Sequence, residues 1–245
     1  MTEEQLYKKY AQYYDRIYEK ISQQKECDFI KWAVRKHKTS AGIGLLDVAC
    51  GTGRHAEILK DNFEVQGVDI NPEMLKIARE KLPDQKFSTG DMKTLDLDQE
   101  FDVVICMFSA MNYNTSLKEL EKTLKNFHNH LKPGGVLIFD YGINKENWIE
   151  GLVSVDTVVD NNLKLARICQ SRLEDGIFNA DFVFLIKEDG KLNFDIDQHK
   201  LGVFGVNEMN NSMNEIGFNT FIYSEFTEKE WNILSGERPI FLGVK

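Results

Sequence analysis

Leu45-Leu46-Asp47-Val48-Ala49-Cys50-Gly51-Thr52-Gly53 is a short apolar run that ends in a glycine turn, and the pattern from Arg54 to Asn62 behind it is helical. A buried strand that enters a helix through glycines leaves bare backbone at the turn, where a side chain would block the close approach of a ligand. The helix behind the turn offers N–H groups that lack intrahelical partners. Outward from this point, residues 63–70 read as a second strand that ends at Asp69-Ile70, with Asp69 placed 22 residues after Asp47. An acid at that place can accept both hydroxyls of a ribose. Asn71-Pro72 then opens a helix to about Leu82, with Asn71 as its side-chain cap and Pro72 in its first turn.

The alternation continues to residue 140. Residues 86–89 are a third strand followed by Gly90-Asp91-Met92, where a carboxylate can accept a hydrogen bond from an adenine amino group. Residues 101–107 are nearly all apolar, as a strand covered on both faces should be. Residues 116–130 form a helix with Leu117, Leu120, Leu124 and Phe127 on one stripe, ended by Pro133-Gly134-Gly135, and residues 136–140 form a fifth strand. Before the glycine turn, residues 3–38 carry one or two helices. Strands that alternate with helices imply a parallel sheet covered on both faces.

After Tyr141 the pattern changes. Residues 152–160, 164–174, 178–188 and 191–204 are extended and partly alternating, and Asp160-Asn-Asn, Glu174-Asp-Gly176 and Glu188-Asp-Gly190 separate them. Such turns favour hairpins, so an antiparallel sheet is expected as an insertion. Asn207 to Ile216 reads as a helix ended by Gly217, and residues 218–225 and 238–245 are the last strands. The fold class is therefore α/β, divided into a core of residues 1–141 and 205–245 and an insert of residues 142–204.

Composition narrows the function classes. The chain has 245 residues, 42% hydrophobic and 28% charged with 4 prolines, which is a globular make-up. Its net charge of −9, without any basic run, argues against nucleic acid as a partner. The four cysteines form no C-x-x-C pair, and no metal is expected. The polar N-terminus does not look like a signal peptide, and no apolar run reaches the roughly 18 residues of a membrane helix. A cytoplasmic protein without a membrane partner is the expectation.

Gly51-Thr-Gly-Arg-His-Ala56 also fits the dinucleotide pattern G-x-G-x-x-G/A, so a nicotinamide oxidoreductase is one reading. The ordered set Asp47…Gly51-x-Gly53, Asp69, Gly90-Asp91, Phe101-Asp102…Met107 and Leu131-Lys-Pro-Gly-Gly135 favours another. In order and spacing it resembles the class I S-adenosylmethionine (SAM)-dependent methyltransferases. The resemblance implies a Rossmann-like seven-stranded sheet with its last strand antiparallel. It also implies SAM as methyl donor and S-adenosylhomocysteine as product. By the same resemblance, Ala49, Gly51 and Gly53 line the methionine part of SAM, Asp69 holds the ribose and Ile70 packs on the adenine. Asp91 and Met92 take the adenine edge, Met107 lies beside the sulfonium, and Asp47 and Met74 belong to the same set.

A narrower likeness exists. LLDVACGTG followed by His55, the Gly90-Asp-Met92 triplet, the Met107–Tyr113 segment, Tyr14-Asp-x-x-Tyr18 and the closing Ser235-Gly236…Phe241-x-Gly243-Val244 are similar to the sugar N,N-dimethyltransferases. That likeness implies a small-molecule acceptor, an amine on a nucleotide-linked sugar, and places His199 on an inserted strand. Two stretches depart from that group, Asp140-Tyr-Gly-Ile and Ser235-Gly-Glu-Arg-Pro. An O-methyltransferase and a non-catalytic SAM-binding protein remain as alternatives, because the donor motifs are blind to the acceptor.

Several side chains carry two readings. Tyr14 and Tyr18 share a helix face and either roof SAM and touch the acceptor or form a packing stripe with Tyr7 and Tyr10. His199 is the candidate base, set against an ordinary strand residue. His55 either meets the methionine carboxylate or lies on the surface. His128 and His130 sit at a helix C-terminus and complement its dipole. Asn112, Tyr113, Tyr141 and Trp148 are candidate acceptor contacts, and Arg238 either faces a diphosphate or pairs with the neighbourhood of Glu237. The insert serves as a lid, as the surface of a homodimer, or as both.

Overall fold

The structure, a computed structural model, describes residues 4–245. Residues 1–3, counted above in the first segment, lie outside the described residues. In chain order the core begins α1 (Ala11–Ile17), α2 (Gln23–His37), β1 (Gly44–Val48), α3 (Arg54–Leu59), β2 (Glu64–Asp69), α4 (Pro72–Lys81) and β3 (Lys86–Thr89). It continues with β4 (Phe101–Cys106), α5 (Leu117–Asn129) and β5 (Leu131–Asp140). The second sheet then runs β6 (Val153–Val159), β7 (Leu163–Glu174), β8 (Ile177–Glu188) and β9 (Lys191–Gly202), before α6 (Val206–Ile216), β10 (Asn219–Ser224) and β11 (Pro239–Val244) close the core.

The main sheet has seven strands in the order β10-β11-β5-β4-β1-β2-β3. β11 runs antiparallel to both of its neighbours and the other pairings are parallel. β4 lies in the middle and every one of its residues is buried, which is why its sequence lacks alternation. Burying side chains such as Val103, Val104 and Ile105 stabilises the fold by about 1.5–3 kcal/mol each. α2 covers one face with Cys27, Phe29, Ile30, Ala33 and Val34, and α5 and α6 cover the other with Leu120, Leu124, Phe127, Met209 and Met213. This crossed order brings the carboxyl ends of β1, β2, β3 and β4 together at one edge.

The structure corrects four local expectations. Asn71 caps α4 without a side-chain bond to the helix; its amide donates to Asp69 Oδ1 instead (3.3 Å). Leu117 stays exposed while Thr123 completes the buried stripe of α5. Pro133-Gly134-Gly135 does not end that helix, which stops at Asn129, but lies within β5. There Gly134, at φ +75°, accepts the N–H groups of Thr39 and Ser40 and donates to Lys245 O, so the glycine ties three segments into the sheet's lower edge. β9 ends at Gly202, short of Phe204, whose N–H turns to the Tyr141 hydroxyl.

The second sheet is an antiparallel meander, β6-β7-β8-β9. Asp175-Gly176 and Asp189-Gly190 all adopt positive φ, the paired left-handed geometry of tight hairpin turns. Its inner face carries Val158, Leu163, Leu165, Phe184 and Ile186, and these pack on Leu6, Tyr10, Tyr13 and Ile17. The N-terminal segment, grouped with the core by sequence, thus buries its apolar face against the insert.

Candidate active site

A cavity opens at the carboxyl edge of the main sheet, lined by Ala49, Gly51, Asp69, Ile70, Met74, Asp91, Met92 and Met107 on the core side. Tyr7, Tyr14, Phe108 and Tyr113 close it from above, with Glu4, Asn71 and Lys93 at its margin. Open α/β sheets bind ligands at this edge because the strand ends leave a crevice between crossovers running to opposite faces.

The glycine turn is held by the acid of the next strand. Gly51 N–H donates to Asp69 Oδ2 (2.8 Å) and Asn71 N–H to Oδ1 (2.8 Å). Ala49, Gly51 and Gly53 all have positive φ, and for Ala49 that backbone is strained. Burial pushes the Asp69 carboxyl up, against the hydrogen bonds from Asn71 and Gly51 that favour its charge. Asp91 Oδ1 accepts the Lys93 N–H (2.8 Å), which fixes the second acid on the wall. Ile70 is 56% exposed and presents an apolar face to the cavity.

A second strained turn shapes the opposite wall. Phe108 and Ser109 follow β4 with φ of +63° and +59°. The buried carboxylate of Asp140 at the end of β5 holds them: Ser109 N–H donates to both oxygens (3.0 and 3.1 Å) and its hydroxyl to Oδ2 (3.1 Å). Arg238 Nη1 donates to the same oxygen (3.2 Å). Asp140 lies behind the wall and does not line the cavity, and Arg238 is its ion partner instead of being paired near Glu237.

Tyrosines form the upper wall, and one imidazole stands behind them. Tyr7 and Tyr113 share a hydrogen bond (2.7 Å), and Tyr113 also bonds His199 Nδ1 (2.6 Å). His199 Nε2 meets Asp197 Oδ2 at 3.0 Å, and Leu6 N–H donates to that oxygen (2.9 Å). Asp197 and His199 are two residues apart on β9 and so face the same side. Tyr14 lines the cavity, whereas the Tyr18 hydroxyl accepts from Arg167 Nη1 (2.6 Å) and its ring packs edge-on to Phe108 and Tyr14.

Other predicted residues stand apart from the cavity. Tyr141 is fully buried and ties β9 to α6: its hydroxyl donates to Gly202 O (3.0 Å) and accepts from Phe204 N–H (3.1 Å). Asn112 donates to Ile143 O and Gly202 O (2.7 and 2.9 Å), a bracing role. Trp148 packs edge-on to Phe178 in a separate cluster. Tyr141 and Asn112 are not acceptor contacts, because their polar groups close loops and they have no surface to offer, and Trp148 lies away from the cavity lining. Gly53 packs toward Ala78, Leu82 and Phe87.

His55 is buried, not on the surface, and bonds Glu26 (2.6 Å). Burial lowers its proton affinity, but the Glu26 hydrogen bond and the charges of Asp47 and Glu26 raise it further, so the imidazole is held above its ordinary value. It adjoins a small recess shared with Tyr14, Gly51, Arg54 and Met107. Asp47 is buried off the cavity wall, its Oδ2 has no partner, and burial pushes its carboxyl up to about 7. His130 Nε2 accepts the Leu97 N–H and His128 packs edge-on to Phe218, so both are structural. Sequence reasoning missed Tyr7, Phe108, Asp140, Arg167 and Asp197. Only an acid ending β5 and an Asp-x-His pair on one strand face gave a signal.

The comparisons agree with this geometry. Residues 45–135 match the family model described as a methyltransferase domain. The chain is 32% identical to a dTDP-3-amino-3,6-dideoxy-alpha-D-glucopyranose N,N-dimethyltransferase of Streptomyces fradiae, over 77% of this chain and 76% of that protein. It is 34% identical to a dTDP-3-amino-3,4,6-trideoxy-alpha-D-glucopyranose N,N-dimethyltransferase of Streptomyces venezuelae, over 64% of this chain and 66% of that relative. Among solved structures, Streptomyces venezuelae DesVI superposes with a TM-score of 0.84 at 29% identity, covering 96% of this chain and 98% of that one. SAM-bound CalS10, an amino pentose methyltransferase from Micromonospora echinaspora, superposes at 0.79 and 28%, covering 92% of each chain.

Proposed function

The chain belongs to the SAM-dependent methyltransferases related to the sugar N,N-dimethyltransferases, and we propose that it methylates the amine of a nucleotide-linked amino sugar. The observation that carries the acceptor reading is one cavity with two unlike ends. Acids and bare backbone line one end, and neutral phenols connected to an imidazole line the other.

The residues present fit SAM. Gly51 and Asp69 bring backbone and carboxylate to the same wall, and Asp91 adds a second acid to it. In this reading Asp69 holds the ribose, Ile70 and Met74 the adenine face, and Asp91 and Met92 its edge. Ala49, Gly51 and Met107 flank the methionine part. When bound, SAM supplies an electrophilic sulfonium methyl group, so the protein need not activate the carbon.

The chain's own task is to align the amine and take its proton. Positioning of this kind contributes several kcal/mol to the barrier. Tyr14 roofs the cavity and meets both ligands, and Tyr18, locked by Arg167, supports the Tyr14 ring from behind. Arg238 lies half-exposed on the Asp140 side and offers its remaining N–H groups to a diphosphate. The test is incubation of the protein with methyl-labelled SAM and a panel of small acceptors, including nucleotide-linked 3- and 4-amino sugars. Labelled N-methyl sugar is the expected product; label on hydroxyl acceptors alone overturns the amine reading.

The insert also offers a face for a second copy. Its outer side places Val155, Ile168, Val183 and Ile196 in one cross-strand row, and Thr157, Ala166, Leu185 and Phe194 in the next. Lys164 and Lys187 flank the patch at one end and Asp181 at the other. In a pair of copies facing each other about a two-fold axis that runs across the strands, the lysines of one copy lie over the aspartate of its partner, and a homodimer of this kind completes the reading. No helix of the described residues is long and apolar enough to cross a membrane.

A further inference from the structure

We propose that the acceptor's ammonium proton leaves the cavity through Tyr7 and Tyr113 to His199, and that Asp197 holds the imidazolium so formed. This rests on the amine reading above. Tyr7 and Tyr113 line the cavity and His199 does not. The imidazole is 4% exposed on the inner face of β9, in contact with both phenol rings. It therefore cannot meet the amine directly, and the group that touches the proton is a tyrosine hydroxyl.

The hydrogen-bond directions fix the route. Asp197 Oδ2 already accepts the Leu6 N–H, and a carboxylate only accepts, so His199 Nε2 carries the hydrogen. In the neutral ring Nδ1 is then the acceptor, and the Tyr113 hydroxyl donates to it. The Tyr113 oxygen accepts from Tyr7, whose own oxygen keeps lone pairs for the acceptor. Burial pushes both phenols far up, so neither passes through a phenolate as a resting state. Burial acts to raise Asp197 as well, but the hydrogen bonds from His199 and the backbone of Leu6 and Gln5 prevail and hold it below the ordinary carboxylate range.

The step balances. One ammonium N–H bond breaks and its electron pair stays on nitrogen. The proton bonds Tyr7 Oη, the Tyr7 proton moves to Tyr113 Oη, and the Tyr113 proton moves to His199 Nδ1. Both tyrosines end neutral and His199 ends as imidazolium against Asp197. The charged or titratable groups around this chain are Asp197 on β9, Tyr113 after β4, Tyr7 and Glu4 of the N-terminal turn, and Tyr14 and Tyr18 of α1.

The test compares wild type, Tyr113→Phe and His199→Gln across pH 6–10 with a nucleotide-linked amino sugar, and measures SAM affinity separately. At pH 7 both variants lose about 10²–10⁴-fold in kcat/KM. The loss shrinks about tenfold per pH unit as bulk water removes the amine's proton, a rescue that a merely structural role does not produce. A loss independent of pH with SAM affinity retained overturns the relay, and so does wild-type activity in either variant. In protein without SAM or acceptor, ring-nitrogen NMR should show the His199 Nδ1 resonance moving in Tyr113→Phe; an unmoved resonance overturns it as well. Wild type that methylates no amino sugar sinks the amine reading and the relay with it, while the NMR result still reports whether the Tyr113–His199 bond exists.

Discussion

Both oxygens of Asp69 accept backbone N–H groups, from Gly51 and Asn71; Oδ1 also takes the Asn71 side-chain amide, and Oδ2 keeps a lone pair for a ribose hydroxyl. One carboxylate therefore shapes the glycine turn and, in the proposed reading, also takes the ribose. Hydrogen bonds to a charged group are worth about 1.5–3 kcal/mol each, so Asp69→Ala should weaken SAM binding by about 100-fold or more. Equilibrium binding checks this, and unchanged affinity removes the ribose assignment. Asp47 behaves differently. Its folded value of about 7 lies above the ordinary 3.8, so the folded state takes up a proton that the unfolded state has lost. The destabilisation is absent below about pH 4, grows as pH rises, and is complete above about pH 7, where it is worth about 4 kcal/mol at most. Asp47→Asn should therefore gain stability over wild type in urea unfolding at pH 8 and little at pH 4. Asp69 was legible because strand, spacing and acid coincide. The partnerless Asp47 oxygen and the Glu26 partner of His55 were not, because they depend on what folds beside them.

At the scale of elements, the wall opposite Asp69 depends on two consecutive left-handed residues, Phe108 and Ser109, and on the acid of the neighbouring strand that holds them. Asp140→Ala leaves three Ser109 bonds and the Arg238 charge without their partner. A destabilisation of about 1–3 kcal/mol is expected from denaturant unfolding, together with a raised KM for SAM as Met107 and Phe108 move. Conversely, the Asp-Gly hairpin turns are local devices, and their geometry follows from two adjacent residues that tolerate positive φ. That contrast explains what could be read beforehand. Periods, caps and turn pairs are encoded within a few residues, so the eleven strand positions and most helix bounds were visible in the sequence. Pro133-Gly134-Gly135 misled because its glycine serves partners at Thr39, Ser40 and Lys245, which no local pattern contains.

On the scale of the whole molecule, the N-terminal segment crosses from the core to the insert, so that cavity wall and second sheet are packed as one cluster around Tyr10, Tyr13 and Phe184. The outer face of that sheet keeps Phe194 75% exposed beside the exposed Leu185, Val183 and Ile196, an apolar patch of the kind that marks interaction sites. Phe194→Glu should convert a dimer to a monomer in sedimentation while leaving SAM affinity intact; wild type that sediments as a monomer at micromolar concentration rules out the dimer. The sequence by itself determined the alternation of strands and helices, the donor motifs and the placement of the insert, because each is written in local spacing and residue type. Only the tertiary structure decided that His199 stands behind Tyr7 and Tyr113, that Tyr141 and Asn112 brace loops, and that Asp140 shapes a wall. Those roles are set by contacts between segments up to 191 residues apart, and hydrogen-bond partners at such separations are chosen by packing and not by sequence neighbours.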